Sequence, residues 1–204
     1  MALRRKPRGR HGVAGALCAL VLLLGTPGPT PADDAKPLSA VLLVARAALP
    51  DLNFADSVVL VMNNVGPAPI GVIVNKPTAL PVARLFPNFS RLAEAQDKVY
   101  FGGPVGFRSV WFLFRAAKRP EHAVEAFDGM YLSADRELLL QLLGREHPME
   151  GLRIFVGHAG WAPGQLEAEI ERGDWTSQRA DSDAIFNPKS EHPWPPLVDP
   201  KIST

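Results

Sequence analysis

Cysteine is nearly missing. The 204 residues hold one, Cys18, and it lies inside an apolar run near the N-terminus. With that region set aside, the chain has no means of making a disulfide, a thiol nucleophile or a thiolate metal site. Histidine occurs five times, with no two at zinc-ligand spacing. His122 and Glu125 stand three apart, but no third ligand lies near them in sequence, so neither a metal nor a cofactor is expected. Ser57, beside Asp56, lacks a G-x-S-x-G elbow, and strand-edge or turn hydrogen bonding accounts for both side chains. Helix-turn-helix spacing and internal repeats are absent as well. So are long apolar runs: the thirteen residues Gly12 to Leu24 fall short of the roughly 20 that a spanning helix needs.

That short run has a different meaning in context. Arg4, Arg5, Lys6, Arg8 and Arg10 precede it with no acid among them, Pro27 and Pro29 break it, and Thr30-Pro31-Ala32 offers small residues ahead of a cleavage point before Asp33. The layout is that of a signal peptide over residues 1–32, predicting an exported, periplasmic or secreted protein with no membrane span after processing. An uncleaved N-terminal anchor is the alternative. Removing the five basic residues of this segment from the 22 Lys+Arg leaves 17 against 21 Asp+Glu, a net charge of −4. A mildly acidic chain without a basic stripe is poorly suited to nucleic acid, whose affinity comes chiefly from phosphate neutralisation.

About 170 residues remain, enough for one well-buried core. Residues 33–188 are read as a single domain, and 189–204, rich in proline, as an extended tail. Leu38–Val44 is an apolar run of strand length. Ser57–Met62 and Ile70–Asn75 are rich in β-branched residues and flank the turn-forming NNVGPAP, which predicts a hairpin. Lys76-Pro77 ends that strand, and Val82–Ala95 reads as an irregular or helical connection that includes the sequon Asn88-Phe89-Ser90. Val99–Phe101, Ser109–Phe114 and Met130–Leu132 are further strand candidates, with 115–127 read as surface loop. Ser133 is expected to cap a helix ending at Gly144, and Asp181 or Ser182 a short one through Phe186. Strands outnumber helices and no βαβ series appears, which favours an α+β fold with a mixed, mostly antiparallel sheet.

The densest local signal is Leu152–Trp175. Arg153–Val156 suits a strand, Gly157–Gly160 a tight turn, and Pro163 the first turn of a helix. That helix should carry Leu166 and Ile170 on one face and a left-handed cap at Gly173. Trp161 and Trp175 are placed to clamp its two ends against a core.

GHAGWAPGQLEAEIERGDW within this stretch resembles the GYAGWxPGQLExEIxxGxW signature of the YqgE/AlgH family. Leu43–Leu60, Ile70–Pro77 (IGVIVNKP) and Val99–Val105 (VYFGGPV) are similar to its other motifs, in the same order, over about residues 38–188. The resemblance implies a bifurcated sheet rolled into a pseudo-barrel with helices outside. For function it carries the family's inherited label of transcriptional regulator, which export and the acidic balance oppose.

The candidate binding residues are Asn75, Lys76, Gly102, Gly103, Pro104, His158, Gly160, Trp161, Gln165 and Glu169. His158 in a turn ahead of a helix N-terminus would sit where backbone amides favour an anion or oxyanion, although a half-buried hydrogen-bonding ring is the plainer reading. Asn75-Lys76 could hold a carboxylate or phosphate, and Gly102-Gly103-Pro104 could present amides but lacks the fingerprint and lysine of a phosphate loop. Gln165 and Glu169, an i, i+4 pair on the side of Trp161, would form a polar patch or a solvated face. Convergence of the His158 turn, the glycine pair and the Asn75-Lys76 strand end is the expected site. Three functions follow: an exported non-enzymatic binding or accessory protein for a small anionic ligand or a protein partner; a hydrolase or transferase using the Gly157–Gly160 turn; and the inherited regulator.

Overall fold

The computed structural model describes residues 40–46, 49, 51–63, 65–127, 129–178 and 185–186. The predicted signal peptide, the tail and, apart from Ile185 and Phe186, the helix expected after Asp181 lie outside these residues. Ten strands run in chain order: β1 Ala40–Ala45, β2 Val58–Met62, β3 Ile70–Ile73, β4 Pro77–Pro81, β5 Lys98–Phe101, β6 Val105–Arg115, β7 Val124–Phe127, β8 Met130–Ser133, β9 Leu152–Gly160 and β10 Trp175–Gln178. The helices of the described residues include α1 Val82–Leu85, α2 Arg136–Leu143 and α3 Gln165–Glu171, with a 3-10 turn at Ser90–Leu92.

The main path orders the strands β10-β1-β2-β3-β9-β6-β8-β7, every neighbour antiparallel. A side branch, β4-β5, joins β9 through one parallel pairing. The sheet is mostly antiparallel and curls into a half-barrel with helices on its outside, the α+β architecture expected from the element pattern.

The strands are apolar on both faces because both faces are covered. Ala40, Leu42 and Val44 of β1, Val58, Leu60 and Met62 of β2, and Val72 and Val74 point between the two limbs, where they meet Leu113, Met130, Leu132 and Phe155. Their alternates, Leu43, Ala45, Val59, Val61 and Ile73, pack under α3 with Trp161, Leu166 and Trp175. On the other limb Phe112, Phe114, Tyr131, Leu152 and Ile154 pack with residues of α1 and α2.

The predicted hairpin forms, with Val59 opposite Ile73 and Met62 opposite Ile70. Several local expectations are corrected. The hairpin's second strand ends before Lys76-Pro77 as expected, but Pro77 then begins β4, an edge strand that does not need its missing N–H. Val124–Phe127, assigned to loop, is β7, and Trp175 opens β10. Helix α2 is capped by Asp135, whose Oδ1 accepts from the Leu138 amide at 2.8 Å. Ser133 is the last residue of β8 and accepts from the Asp135 amide. Gly157–Gly160 is strand and not turn, and Pro163 precedes α3, whose N-cap is Gly164. Gly173 takes the expected left-handed conformation at φ 77°. Leu166 is buried, but Ile170 is 41 % exposed, so α3 meets the sheet through its first turn.

Candidate functional site

The fork in the sheet brings three sequence motifs together. β3 and β9 pair only at Ile70–Gly160 and Gly71–Ala159 before diverging. Phe101 and Gly102 enter the gap: the Gly102 amide donates to the Val156 carbonyl at 2.9 Å, its carbonyl accepts from the Ile73 amide at 2.9 Å, and the Phe101 amide donates to the Lys76 carbonyl at 2.8 Å. The expected convergence of the β3 end, the glycine pair and the His158 segment is therefore present at the level of backbone. It is tight. A Cβ on Gly103 would overlap the Ala159 nitrogen, and one on Gly157 would overlap the Gly103 carbonyl oxygen, with φ of 147° and 69° at the two glycines.

Gly157 faces a wide bulge in β6. Opposite it, β6 advances from Val105 to Val110 while β9 moves only from His158 to Val156. The surplus residues 106–109 arch outward, turned by Gly106 at φ 63° and tied by a 2.6 Å hydrogen bond from Ser109 Oγ to the Gly106 carbonyl. The arch carries Phe107, 66 % exposed, with its ring stacked on Phe101 at 6.4 Å. Val105 at its base is 43 % exposed. Pro104 stands between the glycine pair and this arch.

His158 lies under the arch, seven residues before α3 begins, so it borrows nothing from a helix N-terminus. Its ring is 5.3 Å from that of Trp111. Nδ1 is buried without a hydrogen-bond partner, as is Trp111 Nε1. Burial lowers the imidazole pKa, which keeps the ring neutral. The amides expected to form an anion-binding turn instead belong to a strand held between β3 and β6.

The other candidate side chains hold the fold. Asn75 Oδ1 accepts from the Val58 amide at 2.8 Å, while its Nδ2 donates to the Asp56 carbonyl at 2.9 Å. Lys76 Nζ donates to the Asn53 carbonyl at 2.9 Å. Burial lowers the Lys76 pKa, with Asp56 and Asp51 acting in the opposite direction. These bonds anchor the segment between β1 and β2, whose Phe54 stacks on Trp161 at 6.2 Å and meets Trp175 edge-on at 5.6 Å. Glu169 ties the pair together: one oxygen accepts from both indole N–H groups at 2.9 Å, and the other accepts from Gln165 Nε2 at 2.8 Å. Gln165 Oε1 in turn accepts from the Ala162 amide. The polar patch expected here is an internal clasp.

The profile of the AlgH-like family matches residues 42–199. The chain belongs to the AlgH-like family. A UPF0301 protein of Anaeromyxobacter sp. (strain Fw109-5) is 35% identical over 182 residues, 83% of this chain and 90% of the relative. One of Chlorobaculum tepidum is 34% identical over 154 residues, 75% and 81% of the two chains. Among solved structures, a Corynebacterium diphtheriae protein superposes with a TM-score of 0.61 at 27% identity, covering 78% of this chain and 90% of that one. The AlgH protein of Pseudomonas aeruginosa gives 0.61 at 24% identity over 78% and 85%, a likeness of fold.

Within this AlgH-like chain, sequence reasoning missed Phe107, Trp111 and Arg153. Gly106-Phe107-Arg108-Ser109 carries a signal, a glycine and a serine around one aromatic, and β6 starts four residues before the expected Ser109. Arg153 sits inside the fork, where Nη1 donates to the Val74 carbonyl at 2.8 Å and the guanidinium lies 4.2 Å from the centre of the Tyr100 ring. Ser57 is fully buried and its hydroxyl makes none of the hydrogen bonds expected of it. Two open depressions lie elsewhere, one of about 740 Å³ around Arg115, Arg145 and His147, the other of about 660 Å³ around Trp111, Arg119 and His122. None of the ten candidate residues lines either.

Proposed function

We propose that this AlgH-like chain is a non-enzymatic binding protein whose recognition surface is the arch over the fork: Val105, Phe107, His158 and Gly160. The observation that carries this reading is Phe107, held 66 % exposed on a rigid, glycine-packed junction where the candidate segments meet. Isolated exposed apolar residues are ordinary, but an aromatic ring stacked on Phe101 and carried on an arch with a second exposed apolar residue, Val105, suits an interface. The use of Asn75, Lys76, Gln165 and Glu169 in fold-holding bonds supports binding over catalysis, because the groups that might have served chemistry are already committed.

The site of action we infer is the cell envelope, on the basic, apolar and small-residue layout of residues 1–32. Mass spectrometry of the native N-terminus tests this: a chain starting at Asp33 is expected, and an intact Met1 in the cytosol would overturn it. The binding surface is tested by comparing partner retention by the wild-type chain and by F107S, an exposed substitution that leaves the core untouched.

A further inference from the structure

The depression of about 660 Å³ has the composition of a small-molecule site, and none of Val105, Phe107, His158 and Gly160 lines it. Its floor is apolar. Val124 and Leu132 face each other across β7 and β8, and both, with Trp111 of β6, belong to or pack against the cluster on the inner face of the half-barrel. Trp111 is half-buried and its indole nitrogen is fully covered, so what it offers the depression is ring carbon.

The rim is polar and held in place. Arg119 Nε donates to the Ala123 carbonyl at 3.1 Å, and the Ser133 hydroxyl donates to the His122 carbonyl at 2.7 Å. Between these ties His122 takes a left-handed φ of 61°, a conformation that a residue with a side chain keeps only when its surroundings impose it. Charges of both signs stand on this rim. Arg119 is exposed and retains its terminal nitrogens beyond the Nε contact. Asp135 gives Oδ1 to the Leu138 amide and retains Oδ2, while Glu121 approaches His122 Nε2 at 3.8 Å. A simple anion would therefore meet Glu121 and Asp135, a simple cation would meet Arg119, and a purely apolar molecule would cover the rim without answering it.

We propose that this depression binds an apolar zwitterion, a free amino acid or a short peptide. Its carboxylate pairs with Arg119, its ammonium with the carboxylates of Asp135 and Glu121, and its side chain rests on Trp111, Val124 and Leu132. An apolar floor with a few polar groups at its edge is the usual make-up of a small-ligand site, and a guanidinium suits a carboxylate in both charge and shape. The site goes beyond the arch surface proposed above and shares no residue with it.

The test titrates the full folded chain with L-leucine, L-phenylalanine and leucyl-leucine, followed by NMR at the Trp111 indole N–H and the Ala134 amide. The comparison probes are N-acetyl-leucine, which lacks the ammonium, leucinamide, which lacks the carboxylate, and glycine, which lacks the apolar side chain. The expected result is saturable binding of at least one of the three apolar zwitterions and about tenfold weaker binding of each comparison probe. Saturation by leucine or phenylalanine identifies a free amino acid as the ligand, and saturation by leucyl-leucine alone a short peptide. Binding should be lost in R119Q and in A134W, whose indole fills the depression from an exposed position. R119Q also removes the bond to Ala123, so A134W and the blocked ligands carry the test independently of the loop. F107S should titrate like wild type, so that failure of either site leaves the other standing. No saturation by any zwitterion, blocked ligands that bind as well as their parent, or binding undiminished in A134W would overturn the proposal.

Discussion

Glu169 shows how much one side chain can organise. Its single Oε2 accepts from two tryptophans that are 6 % and 4 % exposed, so removing the carboxylate strands two buried donors at once. Glu169→Ala is expected to cost about 3 kcal/mol, from the loss of about 1–3 kcal/mol per orphaned buried group. Glu169→Gln, which keeps one acceptor oxygen, should cost less. Urea unfolding followed by tryptophan fluorescence measures both, because the reporters are the affected rings. His158 works in the opposite sense, through a polar atom left without a partner. Its folded pKa lies below the ordinary 6.5 because burial disfavours the charged ring. Below pH about 6.5 the unfolded chain takes up a proton that the folded chain resists, so stability falls as pH drops toward the lowered value and then levels off. His158→Phe should flatten that part of the urea-midpoint curve between pH 7.5 and 5.

At the scale of elements, the fork is built from backbone packed against backbone, and its glycines are there for want of a side chain. Gly103→Ala is expected to destabilise by about 3 kcal/mol or more, since it combines a disfavoured backbone conformation with overlap onto Ala159. Gly160→Ala, whose new Cβ would meet only ordinary contacts at 3.8 to 4.0 Å, should lie within about 1 kcal/mol of wild type in the same urea titration. The contrast separates crowding from a general intolerance of the fork's glycines to alanine. Elements whose signals are local were legible in the sequence: the hairpin of Ser57–Asn75 from its β-branched runs and turn residues, the helix ending at Gly144, and the Trp-flanked helix α3. Those fixed by distant partners were not. β4 and β10 are strands because β5 and β1 lie beside them, and Gly157–Gly160 continues β9 because Gly71 and Val105 pair with it. Two glycines shortly ahead of a helix look like a turn in one dimension, and only pairing with β3 and the bulged β6 shows that the strand continues through both.

For the molecule as a whole, strand count and the absence of βαβ spacing were enough to give the class, and the colinear motifs gave the half-barrel. The candidate site was legible in part. The three segments that meet at the fork were named from sequence, but Asn75, Lys76, Gln165 and Glu169 turned out to hold it together. Phe107, on the arch beside them, was hidden because the sequence places it just outside the apolar run Ser109–Phe114, and only pairing with β9 extends β6 back to Val105. The proposed binding role draws on the same frame: the junction holds out an exposed ring, and polar side chains near it are engaged in holding the fold. The most direct test of that claim is partner retention from native envelope extracts by wild type, F107S and, as an exposed apolar control on α3, I170S. The account predicts a retained species lost in F107S and kept in I170S, with all three chains equally folded. Retention unchanged in F107S, or a turnover abolished by replacing His158 in a folded chain, would contradict it.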